Sequence, residues 1–576
     1  MNNVEFAATL VQGLCDAGLR HVCISPGSRS GPLAIAFARN SAVRVWMHVD
    51  ERSSGFFALG AAKRLGEPVA VLTTSGTAAA ELHPAVLEAY YSLTPLVLLT
   101  ADRPPELHDR GANQTVVQAG IFGGATRWSI DAGPPGPATT ARATVQLAAR
   151  AMATARGPAP GPVHINLPFR EPLLEGAMHT AGSQRNPRGT RVHDINRETL
   201  SGEVGLLSQL LASAQRPLLH AGSLSGGPRL AAALRALTDR TGLVVHAEPT
   251  SQLRLPGIAG LLSNTEALLR DDTFAAAHAP DLVIRIGAAP TSRVLSEWLQ
   301  RSAPEHVVLV DPEAVWRDPD ALATDMLHCD IAALASGAAA TTNGVNDRSW
   351  RDGWMAADAI ATDAVQRRLA ELPLFEAHVV QRLARATDGA ATIVVGSSMA
   401  IRDVDWFWPA AAEQRFIANR GASGIDGFAS TALGAAAVSA GEPVIALCGD
   451  LTLYHDMNGL LAARKHGLAV TFVVLNNDGG GIFSFLRESE HEDVFEETFA
   501  TPTGLELRHV AALYDLEYRS VTGVPELATA LAQPPLSKSA IVDVRFSRAD
   551  SVSGHRALWA AASSAIHEAH PAMQGT

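Results

Sequence analysis

Lysine is almost missing from this chain. Lys63, Lys465 and Lys538 are the only three, so arginine carries nearly all of the positive charge. A mechanism that condenses a lysine amine with a carbonyl substrate would have to draw on one of them. Positive charge as a whole is also short: 46 Lys and Arg face 58 Asp and Glu, a net charge of −12 over 576 residues. Nucleic-acid binding needs a basic face to neutralise phosphates, so no nucleic-acid partner is expected. Cysteine is scarce and scattered. Cys15, Cys23, Cys329 and Cys448 make no Cys-x-x-Cys pair and no metal-ligand spacing, as expected of thiols in a reducing cytoplasm. Long apolar runs are missing too: the longest stretch, 431–448, is Ala/Gly-rich and broken by Glu442 and Pro443, whereas a membrane span takes about 20 apolar residues. The opening MNNVEFAATLVQGLCDAG has no basic start and no purely apolar stretch, so no signal peptide is expected. These absences together predict a soluble cytoplasmic protein.

What is present describes a globular chain, 47% hydrophobic and 18% charged, long enough for about three domains. Short Val/Ile/Leu runs alternate with Ala/Leu-rich helical stretches: HVCIS (21–25), PVAVLTT (68–74), PLVLLTA (95–101), PLLHAG (217–222), DLVIRIG (281–287), HVVLVD (306–311), ATIVVG (391–396), PVIALCGD (443–450) and VTFVVLNN (470–477). Near-continuous apolar runs imply strands covered on both faces, and so an α/β fold of mostly parallel sheets flanked by helices.

One comparison within the chain says more. GFFALGAAKRLGEPV (55–69) matches GFASTALGAAAVSAGEPV (427–444), with Gly60 aligned to Gly434, 374 residues further on. Each segment leads into an apolar run, a glycine (Gly76, Gly449), a helix-length segment and another apolar run. The period is too long for a solenoid; it predicts related first and third domains around a different second one. Polar, Gly/Pro-containing stretches at 176–198 and 341–350 mark the breaks. The expected domains are 1–180, 190–350 and 360–576.

The third domain carries a motif. Gly449-Asp450 closes one apolar run and Asn476-Asn477 closes the next, with Asn477 lying 27 residues after Asp450 and a helix-like GLLAARKHG between them. A strand–helix–strand unit of this size brings both strand ends to one edge of the sheet. Asp450 and Asn477 then offer a carboxylate and an amide oxygen to a hard cation such as Mg²⁺, and Gly479-Gly480-Gly481 offers backbone groups near phosphate. This spacing resembles the diphosphate-binding motif of thiamine diphosphate enzymes. Those enzymes need a carboxylate on the related half of the fold, to hold a proton at N1′ of the cofactor's aminopyrimidine. Glu51, after VRVWMHV (43–49) and just before the duplicated segment, stands where the resemblance places it.

The resemblance then extends along most of the chain. SPGSRSGPL (25–33), DERSSGFFALG (50–60), TSGTAAAELHPAVLEA (74–89), LLTADRPPELHDRGANQ (98–114), VHINLPFREPL (163–173), NRGASGIDG (419–427), GDLTLYHDMNGL (449–460) and NNDGGGIF (476–483) resemble the SEPHCHC synthase family of menaquinone biosynthesis. The second domain matches weakly. The resemblance implies thiamine diphosphate with Mg²⁺ (or Mn²⁺) as cofactors, decarboxylation of 2-oxoglutarate, and addition of the succinyl carbanion to isochorismate. It also implies at least a homodimer, because the glutamate and the diphosphate site lie on different domains. Both substrates are dicarboxylates, and arginine suits carboxylates by bidentate pairing.

Residue by residue, the resemblance implies Glu51, Ser28, Gln114 and Arg29 at the reacting centre. Arg402 with Ser398 is implied for the succinyl carboxylate, and Arg103, Asn113, Arg293 and Arg420 for isochorismate. Asp450, Asn477 and Gly479 are implied as metal ligands, with Ile425, Ile482 and Phe483 lining the cofactor pocket. Two departures stand out. Arg293 replaces the family's usual lysine, and Asp478 replaces an Asn, so Asp478 is expected to face solvent or support a ligand. AGSLSGG (221–227) lacks the G-x-G-x-x-G of a dinucleotide loop and reads as structural. Two other readings stay open: another thiamine-dependent 2-oxoacid enzyme, which would need fewer cations, and a non-catalytic binding protein, which would have no use for Glu51.

Overall fold

Every one of the apolar runs forms a strand, and those at the sheet centres are sealed on both faces. Val69–Thr73 and Leu96–Asp102 are buried at each position, as uninterrupted Val and Leu demand of a parallel sheet. The structure, a computed structural model, describes residues 1–175, 192, 201–342, 347–387, 391–410, 413–531 and 537–569. Of the two breaks expected from composition, 176–198 lies outside the described residues except for Val192, and the other does so at 343–346.

The described residues form three sheets. The first holds β1 (His21–Ile24), β2 (Arg44–Met47), β3 (Val69–Thr73), β4 (Leu96–Asp102), β5 (Trp128–Asp131) and β6 (Pro162–Pro168) in the order β2-β1-β3-β4-β6-β5. The second holds β7 (Pro217–Ala221), β8 (Val244–Ala247), β9 (Leu282–Ile286), β10 (His306–Val310) and β11 (Asp325–Leu327), ordered β11-β10-β9-β7-β8. The third holds β12 (Thr392–Val395), β13 (Arg415–Ala418), β14 (Val444–Gly449), β15 (Thr471–Asn476), β16 (Glu517–Val521) and β17 (Ala540–Arg545), ordered β13-β12-β14-β15-β17-β16. All strand pairs are parallel. The third order repeats the first with each strand number raised by eleven, so the duplication read from sequence is a duplication of topology. Among the described residues, no helix is long and apolar enough to cross a membrane.

The duplicated segments do more than resemble each other; they touch. The helices Glu51–Leu65 and Phe428–Ala437 bury Ser53–Ala62 and Phe428–Ala435 without a break. A Cβ on Gly60 would lie 1.9 Å from the Thr431 carbonyl oxygen, and one on Gly434 would lie 2.0 Å from that of Phe57. Gly60 with Gly434 and Phe57 with Thr431 are both 374 residues apart, so these are one contact repeated about a pseudo-two-fold axis. The two halves meet as identical subunits do in an isologous dimer. Only glycine permits this approach. Gly60→Ala is therefore expected to cost about 1–3 kcal/mol or more by forced overpacking, read from denaturant unfolding. Gly205→Ala, on a helix where an added Cβ meets nothing within 4 Å, should be neutral or stabilising by up to about 1 kcal/mol. Equal effects at the two positions would contradict the packing account.

In the second sheet unit, the loop after β7 is closed on itself. A Cβ on Gly222 would lie 2.0 Å from the Ala288 carbonyl, and Gly287 (φ +76°) packs against the carbonyls of Gly222 and Ser223. AGSLSGG is thus occupied by backbone packing against the turn after β9. The helix Ser349–Leu369 then joins this unit to the third. Trp354 lies edge-on to Phe274 (5.0 Å) and Trp298 (5.9 Å), while the same helix packs along Arg548–Ala569.

Candidate active site

Strands β12, β14 and β15 are neighbours in the third sheet, and their C-terminal ends deliver Ser397-Ser398, Gly449-Asp450 and Asn476-Asn477 to one edge. A cleft of about 470 Å³ opens there. Its walls include every candidate residue from this part of the chain: Ser398, Arg402, Arg420, Ile425, Asp450, Asn477, Gly479, Ile482 and Phe483.

Asp450 directly follows β14 and begins a short helix, Asp450–His455. Its side chain is buried, and Oδ2 accepts the Gly479 N–H at 2.8 Å. Burial pushes the carboxyl up to about 6, against the pull of the Gly479 and Leu451 amides. Beside it, Asn477 Oδ1 is buried and has no hydrogen-bond partner among the described residues. The glycines close the cradle. Gly479 adopts φ +138° with Ala500 O 2.3 Å from where a Cβ would be, and a Cβ on Gly481 would lie 2.4 Å from Asn477 Nδ2. A buried carboxylate with no ion-pair partner among the described residues and an orphaned amide oxygen are donors that a small hard cation satisfies, and backbone N–H groups nearby suit a diphosphate. The residues present therefore fit the group. Asp478 is exposed, and its Oδ1 accepts the N–H groups of Thr503 and Gly504, a loop-holding role in line with expectation.

The opposite wall is cationic. Arg402, on the helix Met399–Phe407, donates to the Ser398 carbonyl at 2.5 Å. Burial, then the nearby Arg420 charge, lowers its affinity for a proton. Two guanidinium groups that disfavour each other are kept in one cleft at an electrostatic cost, which a bound carboxylate reverses. Ser398 holds φ +67°, an unusual conformation for a residue other than glycine. Glu376 also lines this cleft and was not anticipated. It is 1% exposed, its Oε1 accepts from Ser551 Oγ at 2.8 Å, and its Oε2 has no partner among the described residues. Burial and the adjacent Asp403 raise it to about 7. Nothing in its local sequence, FEAHVV, separates it from an ordinary first-turn glutamate.

The remaining candidates gather at the matching edge of the first sheet. Arg29, 7% exposed, donates to the Phe169 carbonyl at 2.9 Å and to Glu171 at 3.0 Å. Arg103, directly after β4, donates to the Gln114 carbonyl at 3.0 Å and to the Ser75 hydroxyl. Gln114 (φ +56°) returns a bond from Nε2 to the Ser75 carbonyl at 2.9 Å. Arg103 has its proton affinity lowered by burial and by the Arg29 charge, so these two also form a cation pair. Ser28 and Asn113 lie beside them on the surface. Glu51 is the first residue of its helix, whose N-cap Asp50 accepts the Ser53 N–H at 3.1 Å. Its carboxyl is half-buried and raised, by burial first and then by Asp50 and Glu81.

The single chain does not unite the two groups: Glu51 and the first-sheet candidates are not among the residues lining the third-sheet cleft. Arg293 joins neither group. It opens the helix Arg293–Ser302 with its side chain 82% exposed and paired with Glu297 at 2.6 Å, an i,i+4 pair on a helix surface.

Comparison with known proteins agrees with this division. The thiamine pyrophosphate enzyme N-terminal TPP binding domain matches residues 4–121, and the C-terminal TPP binding domain matches residues 398–544. The 2-succinyl-5-enolpyruvyl-6-hydroxy-3-cyclohexene-1-carboxylate synthase of Chloroflexus aurantiacus is 41% identical, covering 98% of this chain and 97% of its own. Those of Geobacillus kaustophilus (42%; 96% and 97%) and Halobacterium salinarum (40%; 92% and 92%) are similarly close.

Proposed function

The chain belongs to the 2-succinyl-5-enolpyruvyl-6-hydroxy-3-cyclohexene-1-carboxylate synthase family of thiamine diphosphate enzymes, and from that premise we propose that it decarboxylates 2-oxoglutarate and joins the succinyl unit to isochorismate, releasing CO₂ in menaquinone biosynthesis. The observation that carries this reading is the cleft, where a cation-ready Asp450/Asn477/Gly479 cradle faces Arg402, Arg420 and Ser398. Asp450, Asn477 Oδ1 and the Gly479 carbonyl would hold Mg²⁺ or Mn²⁺ against the diphosphate. Ile425, Ile482 and Phe483 would form the apolar sides of the cofactor pocket. Thiamine diphosphate, when bound, supplies the carbon nucleophile and the electron sink that let CO₂ leave.

The protein's own groups do the rest. Arg402 with the Ser398 hydroxyl grips the distal carboxylate of 2-oxoglutarate. Arg420, with Arg29, Arg103 and Asn113 from the first-sheet edge, receives the carboxylates of isochorismate, while Ser28 and Gln114 stand at the reacting carbons. Glu51 holds a proton at N1′ of the aminopyrimidine, a task that its raised proton affinity suits. Arg293, exposed and already paired, is the member of the implied isochorismate set whose role this geometry supports least.

Because Glu51 is not among the residues lining the cleft of its own chain, we assign a homodimer in which each protomer's Glu51 completes its partner's site. An active monomer seen by light scattering at assay concentration would refute that assembly. The four cysteines are buried, in keeping with the cytoplasmic location that this pathway implies.

The deciding experiment measures CO₂ release from 2-oxoglutarate with thiamine diphosphate and Mg²⁺, with and without isochorismate. Turnover that depends on isochorismate and yields the carboligated product is expected; rapid release of succinic semialdehyde without isochorismate would replace the synthase with a simple decarboxylase. If Arg402 holds the succinyl end, Arg402→Ala should raise the KM for 2-oxoglutarate about 10–100-fold, the size of one charged hydrogen bond, and leave that for isochorismate nearly unchanged. Equal rises for both substrates would end this division of the arginines.

A further inference from the structure

The rarest cation in the chain sits where its two halves meet. Lys63, near the end of the helix Glu51–Leu65, has a side chain only 11% exposed, and its Nζ lies 2.7 Å from Glu88 Oε1. The same ammonium donates to the Ala418 carbonyl at 2.8 Å and to Asn419 Oδ1 at 3.2 Å. Glu88, on the helix His83–Tyr91, accepts the N–H groups of Gly421 at 3.0 Å and Ala422 at 2.7 Å. Four hydrogen bonds from the first half thus hold 418–422, the segment that leaves β13 and carries Arg420 into the cleft. Gly421 is pressed onto the end of the Glu88 helix, since a Cβ there would lie 2.5 Å from the Glu88 carbonyl and 2.7 Å from the Ser92 nitrogen.

Arg420 itself is anchored differently. Among the described residues no hydrogen bond or ion pair fixes its guanidinium, although the charges of Arg402 and Glu248 act on it. Its direction is therefore set by the backbone on either side, and that backbone is held by Glu88. A buried ion pair is a poor source of stability compared with apolar packing of equal volume, and its best-attested use is to select one geometry. We propose that Glu88, with Lys63 as its counter-ion, is a positioning residue that aims Arg420 into the cleft from the other half of the chain. The functional consequence rests on the reading of Arg420 as a carboxylate-binding residue for isochorismate.

Glu88→Gln keeps the shape but loses one acceptor and the charge. In the holoenzyme, amide exchange at Gly421 and Ala422 should quicken at least about tenfold as two bonds to a charged acceptor weaken. The KM for isochorismate should rise about tenfold with kcat within about twofold, a split that a general loss of folded enzyme does not produce. Glu88→Gln added to Arg420→Ala should cost no more than Arg420→Ala alone. Unchanged exchange at 421–422, additive penalties, or a fall in kcat with both KM values intact would each overturn the proposal. If Arg420→Ala moves neither KM, the substrate reading of Arg420 fails, and the exchange rates alone then decide whether the clamp exists. Should Glu88→Gln not fold, Lys63→Met reports the same exchange and KM changes, and Lys63→Arg should restore part of what Lys63→Met loses.

Discussion

Glu51→Gln should still bind thiamine diphosphate and fold normally, yet lose about 10²–10⁴-fold in turnover, the range that a positioned proton-transfer group contributes. Glutamine matches the side chain in size and keeps a hydrogen-bonding end, so binding contacts survive. What it cannot do is hold and release a proton at N1′. The protein invests in that ability. A helix N-terminus normally favours a negative charge, and the backbone amide of Glu51 does pull its proton affinity down. Burial pushes the other way and prevails, with Asp50 and Glu81 adding to it. The check is single-turnover CO₂ release from 2-oxoglutarate beside calorimetric cofactor affinity for both proteins. Near-normal rates with the variant would remove Glu51 from the mechanism.

The second large effect concerns the other half of the site. Asp450→Ala should abolish Mg²⁺-dependent binding of thiamine diphosphate, a loss beyond the roughly 10–100-fold caused by removing an outer-shell partner of a metal ligand. Burial raises the carboxyl from the usual aspartate range to about 6, so in the free chain its ionisation works against folding. That cost grows as pH rises from about 4 to about 6 and is constant above. A bound divalent cation cancels it. The rise in Tm on adding Mg²⁺ and cofactor should therefore be larger near pH 7.5 than near pH 5, where the ion must first displace a proton. Thermal unfolding with and without the two ligands tests both points. A pH-independent shift, or cofactor affinity unchanged in Asp450→Ala by calorimetry, would contradict the metal assignment.

Much of this was legible because the signals were local or repeated. Continuous Val/Ile/Leu marks a strand covered on both faces whatever packs on it, and all of the runs named from sequence are strands. The Asp450–Asn477 spacing was readable because two strand ends and the helix between them impose one length. The Gly60/Gly434 match carried the topology of both end domains, since a shared close approach demands the same residue twice. Contacts between distant segments left no such mark. Glu88 meets Gly421, 333 residues away, and Lys63 meets Ala418, 355 away; in PAVLEAYY and GAAKRLG each reads as one more charged residue on a helix. Glu376 is hidden for the same reason, its partner Ser551 lying 175 residues on. For Arg293, the resemblance and the local pattern disagree. The family position suggested a substrate contact, while R-V-L-S-E spells a surface helix pair, which is what this chain forms.

The reciprocal glycine contact also sets a schedule for synthesis. The helix that carries Glu51 packs Phe57 against Gly434 and Phe56 against Gly427, and a ribosome adding about 5–20 residues per second needs roughly 20–75 s to bridge that separation. Throughout this interval the first unit emerges with an apolar helix face still uncovered. Nascent chains of this protein should therefore be clients of folding helpers until the third unit arrives, and a truncated first half made alone should aggregate.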